Sequence, residues 1–236
     1  MKKIIVAMLA AVVMLSLLAV AVADEVINVK SYTEVFTPVS EADGQLNVTV
    51  TGTAGADGYM YIIAAAKGME PTEVTGENLA GTELEAYKNG SESYFRIAVA
   101  DPAAEATVNA TFAVPGFYNV SRAADTNGAE DYSMSYKFTN YLPSKIGKYD
   151  VMVYVPQGME ISKVSSPSKY ADYKLAEMDG MRGAGNAKAL AAAAANTLTF
   201  TYDKAAGAMT NVLVWVICLA IGAFVFIDRY KKATKE

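Results

Sequence analysis

Histidine is absent from all 236 residues, and cysteine and tryptophan occur once each. The missing imidazole removes the commonest general base and the commonest metal ligand together. The lone Cys218 excludes an intrachain disulfide. A body of about 180 residues buries an adequate core without such a staple. The lone Trp215 falls in an apolar run near the C-terminus. No tryptophan is therefore left to line a sugar-cleaving cleft in the body, which weakens a hydrolase reading based on paired carboxylates.

Basic charge is also scarce. The chain has 20 Lys plus Arg against 25 Asp plus Glu; setting aside Lys2, Lys3 and the charges of residues 228–236 leaves 14 basic and 23 acidic residues, a balance of −9. Such a surface lacks the basic footprint that phosphate backbones need, so nucleic acid is not an expected partner.

Charge is missing altogether from residues 205–227, a run of 23. At about 1.5 Å per residue, a helix of that length crosses a hydrocarbon core of roughly 30 Å. Its centre has no polar face, unlike a helix buried in a soluble domain. Arg229, Lys231 and Lys232 follow it directly, as the positive-inside bias requires of a cytoplasmic tail. A glycolipid-anchor signal usually ends apolar, whereas this chain ends in charge. At the other end, Lys2 and Lys3 precede an apolar run that closes on Ala21-Val22-Ala23, the layout of a cleavable secretory signal. The expected topology is single-pass type I: signal 1–23, exported body 24–204, transmembrane helix 205–227 and tail 228–236. Within the span, Asn211, Cys218 and Gly222 are candidates for helix packing, against a second copy or a membrane-protein partner.

The body reads as strands. In QLNVTVT, Leu46, Val48 and Val50 alternate with Asn47, Thr49 and Thr51; in YSMSYKF, Tyr132, Met134, Tyr136 and Phe138 alternate with polar residues. KYDVMVYVP and LTFTY repeat the pattern, and EVINVKSYTEVF, YMYIIAA, YFRIAVA, ATVNATFAV and MEISKV are less regular candidates. Asp43-Gly44, Asp57-Gly58, Asn89-Gly90, Asn127-Gly128 and Asp179-Gly180 supply turns. The expected fold is mainly β: an antiparallel, immunoglobulin-like β-sandwich of eight to ten strands. A polar, turn-rich stretch, Ser121 to Asp131, divides it into modules 24–122 and 123–204, unless the two form one continuous assembly. Helical turns are expected in ENLAGTELEAYKNG and in the alanine-rich Asn186 to Asn196, with mobility in DGMRGAG just before it.

Chemical motifs are sparse. No serine has a histidine partner, and SSPSK at Ser165 to Lys169 offers the residue types of a Ser-Lys dyad but reads as a turn around Pro167. Asp125, Asn127, Glu130 and Asp131 give oxygen donors for part of a calcium shell without matching an EF-hand loop. Met152, Met159, Met178 and Met181 lack the Cys or His of a soft-metal site and read as packing residues. No cofactor is expected beyond that calcium. Sequons at Asn47, Asn89, Asn109 and Asn119 are glycosylation candidates in a host with an N-glycosylation system. Tyr94, Tyr132 and Tyr136 are candidate contact residues.

These features point to a membrane-anchored surface protein, not an enzyme, whose exported body binds a protein or surface glycan or serves as an envelope component. The alternative is an accessory subunit docked on a larger membrane complex through its span. A paired-carboxylate hydrolase ranks third.

Overall fold

The computed structural model describes residues 27–118, 121–124, 130–204 and 216–219. Fourteen strands, numbered along the chain, make up the body among these residues. A seven-stranded sheet runs, in spatial order, β12 (Lys174–Met178), β13 (Met181–Leu190), β10 (Ile146–Tyr154), β1 (Asn28–Pro38), β2 (Gly44–Thr53), β7 (Ala106–Val114) and β4 (Glu70–Glu77). A four-stranded sheet runs β11 (Met159–Ser166), β14 (Ala195–Lys204), β9 (Glu130–Thr139) and β8 (Ser121–Ala124). The third sheet runs β3 (Tyr59–Ile63), β6 (Glu92–Ala98) and β5 (Glu85–Asn89).

Period-two alternation places the core. Leu46, Val48 and Val50 of β2 are buried, as are Val108, Ala110 and Phe112 of β7 and Tyr149, Val151 and Val153 of β10. They form one face of the large sheet. Tyr32 of β1 meets Phe138 of β9 with ring centroids 5.1 Å apart, and Phe36 meets Tyr136 at 4.8 Å. Phe112 of β7 meets Phe95 of β6 at 5.0 Å. Both small sheets therefore cover the same face of the large one, and one contiguous core lies between. Each large side chain fully buried there contributes roughly 1.5–3 kcal/mol.

Three features depart from the two-sheet, all-antiparallel expectation. There are three sheets, the strands exceed ten, and β1 pairs with β10 in parallel, Glu34 opposite Val151. The remaining pairings are antiparallel among the described strands. The parallel pair follows from connectivity: β10 arrives from β9, in another sheet, so no hairpin dictates its direction. That pairing also carries the large sheet across Ser121 to Asp131, joining strands from both sides of the expected boundary.

Both expected helical stretches are extended. Leu79 bridges Val99, and β5 occupies Glu85–Asn89. Asn186 to Asn196 forms the end of β13, a turn with Ala193 at φ 60°, and the start of β14. An isolated helix of that length is marginal, and pairing of β13 with β10 and of β14 with β9 outweighs alanine propensity. DGMRGAG is paired rather than loose. Asp179 and Gly180, at φ 51° and 77°, make a two-residue turn between Met178 and Met181, which pair across the hairpin, as a type I′ turn requires.

No helix among the described residues is long and apolar enough to cross a membrane. Residues 1–23 and all of 205–227 except 216–219 lie outside the described residues. Residues 216–219 are helical, with Val216, Ile217 and Leu219 exposed.

Candidate functional site

The three-stranded sheet puts Met60, Ile62, Phe95 and Ile97 into the core and turns its alternate residues outward. Register brings the outward residues together: Tyr61 opposite Arg96, Glu85 opposite Arg96, and Tyr87 opposite Tyr94. Three phenol rings pack into a concave wall, with centroids 5.7 Å apart for Tyr61 and Tyr87, 5.9 Å for Tyr61 and Tyr94, and 6.3 Å for Tyr87 and Tyr94. The rings are tilted to one another by 42° to 79°.

Polar groups frame the wall. The Arg96 guanidinium lies 4.4 Å from the ring centroids of both Tyr59 and Tyr87, and donates two 3.0 Å hydrogen bonds to the Glu85 carboxylate. The Asp57 carboxylate accepts the Tyr59 N–H at 3.2 Å and the Tyr61 hydroxyl. Burial, then the hydrogen bond to Asp57 and its charge, push the Tyr61 phenol up to about 12, so it stays a donor at neutral pH. Tyr94 donates to the Tyr141 carbonyl at 3.0 Å, tying the loop after β9 to the wall.

Between this wall, the Asp57 turn and the Tyr141 loop lies a cleft of about 490 Å³. Tyr61, Tyr87, Tyr94, Tyr141, Asp57 and Asn89 line it. Its size and its mix of aromatic surface with a few converging polar groups are those of a small-molecule site. Asn89 closes β5, and Gly90 at φ 61° opens the two-residue turn to Glu92, the position where a type II′ hairpin needs glycine.

The residues singled out by sequence scatter around this site. Tyr94, Tyr132 and Tyr136 are all buried; Tyr94 lines the cleft, whereas Tyr132 and Tyr136 do not. Asn89 is at the cleft. Asn47 stands opposite Thr111 and Asn109 opposite Thr49 across β2 and β7 on the outer side of the large sheet, and each asparagine accepts a hydrogen bond from the threonine it faces: Thr111 to Asn47 at 3.0 Å and Thr49 to Asn109 at 2.9 Å. Asn119, Asp125, Asn127, Asn211 and Gly222 lie outside the described residues, while Cys218 sits exposed in the helical segment 216–219. Of the calcium candidates, Glu130 and Asp131 open β9, their backbones pairing with Ala124 and Ala123. No cluster of three or more acidic or cysteine side chains is placed to hold a metal ion among the described residues. Ser166 donates to the Thr197 carbonyl at 3.3 Å, and Met152 is buried beside Gly183 and Gly185 of β13.

Sequence reasoning missed a second polar centre. Glu34 is completely buried between the large and four-stranded sheets, and one of its oxygens accepts hydroxyls from Tyr136 at 2.8 Å and Tyr149 at 2.5 Å. Burial pushes its carboxyl up to about 7, against the pull of those two hydrogen bonds. The signal was the spacing Tyr32, Glu34, Phe36, which puts the acid on the apolar face of an alternating strand.

No family model matches the chain, and no curated protein matches it. Among solved structures, it is similar to an M1 zinc metallopeptidase from Deinococcus radiodurans, with 12% identity and a TM-score of 0.43 over 75% of this chain and 42% of that one. It is also similar to native yeast LTA4 hydrolase, with 9% identity and a TM-score of 0.44 over 74% of this chain and 29% of that one. The chain thus spans less than half the length of these enzymes. Their presence overturns the expectation that the chain is not an enzyme, and that exclusion is withdrawn. At such scores the likeness assigns it no reaction.

Proposed function

We propose that the chain is a membrane-anchored surface protein of type I topology, whose exported, sandwich-type β body works by binding at the tyrosine-lined cleft. The observation that carries this reading is the cleft itself: three clustered tyrosines, an aspartate and an asparagine converge on about 490 Å³ at the surface of the body. The secretory layout of residues 1–23, the uncharged run 205–227 and the basic tail support the topology. The exposed apolar side chains of Val216, Ile217 and Leu219 suit contact with lipid.

The test is display. Intact cells carrying the full chain should be stained by an antibody against the body and by one against a C-terminal tag only after permeabilisation. Staining of the tag on intact cells would overturn the topology. Mild-detergent purification from the same membranes separates the accessory-subunit reading, which requires a stoichiometric membrane partner that is lost when Asn211 and Gly222 are changed.

A further inference from the structure

We propose that the cleft takes a neutral saccharide ring; this rests on the cleft being the binding site. The choice follows from what surrounds it. A cation would seek the faces of the tyrosines, but the Arg96 guanidinium, itself paired with Glu85, already covers one face of Tyr87, 4.4 Å from its centroid. An anion would meet the Asp57 carboxylate in the lining. A pyranose meets neither obstacle. Its C–H face packs on a phenol ring, and its hydroxyls serve as donors and acceptors together.

The polar groups match that pattern. Asp57 keeps acceptor capacity beyond the Tyr59 N–H and the Tyr61 hydroxyl, since an ionised carboxylate has about four lone-pair sites. Asn89 offers both amide donors and a carbonyl acceptor.

Two sources supply such a ring. One is a glycan from outside. The other is the chain itself, because Asn89-Gly90-Ser91 is a sequon at the cleft wall. Tyr87 precedes Asn89 by two residues, so both project from the same face of β5, and the first sugar attached to Asn89 starts beside the Tyr87 ring. Attachment joins Asn89 Nδ2 to the anomeric carbon of a sugar donated from a lipid-linked diphosphate. The amide loses one proton, and the lipid diphosphate leaves with the bonding pair of the broken C–O bond.

The experiment uses the full chain in detergent, made once in a host without N-glycosylation and once in a host with it. Saturation-transfer NMR on the unglycosylated chain is run with methyl glycosides of glucose, galactose, mannose and N-acetylglucosamine, with tetramethylammonium and inorganic phosphate as charged probes. At least one glycoside should receive saturation from tyrosine protons, and its signal should drop at least about tenfold in Tyr61→Ala and Tyr87→Ala while Tyr170→Ala leaves it unchanged. Asp57→Asn, which keeps the shape, should weaken it several-fold and guards against a misfolded tyrosine variant. In the glycosylated chain, a glycopeptide at Asn89 together with loss of free-glycoside binding assigns the cleft to the chain's own sugar. Undiminished glycoside binding assigns it to an outside glycan. Tetramethylammonium bound in a Tyr61-dependent way, with no glycoside bound, overturns the saccharide and keeps the cleft as a binding site. No probe bound and no glycan at Asn89 overturns both.

Discussion

Tyr149 on β10 donates a 2.5 Å hydrogen bond to the carboxylate of Glu34 on β1, the neighbouring parallel strand. Tyr136 reaches the same oxygen from the facing sheet at 2.8 Å, while the other Glu34 oxygen has no partner among the described residues. An acid is thus held where its charge is poorly compensated.

The pH dependence of stability follows from this site. The Glu34 carboxyl is raised from 4.5 to about 7 by burial, so the unfolded chain loses this proton before the folded one does. Below pH 4.5 both forms are protonated and the group is neutral to stability. Between about 4.5 and 7 the folded state loses ground as pH rises, by roughly 3 kcal/mol in total, and above that window the loss is constant. Glu34→Gln removes this component. Urea melts at pH 5 and pH 8 should show the variant gaining on the parent as pH rises; an unchanged difference between the two pH values would contradict the assignment.

A second polar link holds β13 to β14. Asn186 and Asn196 exchange amide hydrogen bonds of 3.0 Å and 2.8 Å, both side chains being buried. Replacing one with leucine strands the other and should cost about 1–3 kcal/mol, whereas replacing both should cost clearly less than the sum of the two. Additive losses in a double-mutant cycle would show the pair to be uncoupled.

Glycine in β13 is required by proximity. A Cβ at Gly185 would sit 2.2 Å from the Val151 carbonyl oxygen and 2.9 Å from the Met152 methyl. Gly185→Ala should destabilise by about 1–3 kcal/mol or more, while Gly81→Ala, with nothing within 4 Å of its new methyl, should stay within about 0.5 kcal/mol. Equal thermal shifts for the two would contradict this packing.

The sequence was most legible where one face of a strand is apolar. Leu46, Val48 and Val50, and again Leu198, Phe200 and Tyr202, announce strands whose apolar faces are buried in antiparallel pairs. The alanine-rich stretch misled because local propensity says nothing of β10 and β9, the strands waiting to pair with it. The parallel pairing of β1 with β10 depends on contacts more than a hundred residues apart, so no local pattern encodes it. The cleft has the same origin. Tyr61, Tyr87 and Tyr94 come from three strands whose register aligns them, and Tyr94 alone was legible as a contact residue. Asp57 read only as turn chemistry, although its side chain also holds the Tyr61 hydroxyl.

Photocrosslinking at the cleft rim tests the central claim most directly. Tyr141 and Tyr170 are both exposed, at 44% and 77%, and Tyr141 alone of the two lines the cleft. With a benzophenone side chain at either position in the full chain on intact cells, Tyr141 should capture a carbohydrate-bearing adduct, Tyr170 should not, and Tyr61→Ala combined with Tyr87→Ala should abolish the capture. Equal labelling at both positions, indifferent to the loss of the two tyrosines, would contradict binding at this cleft.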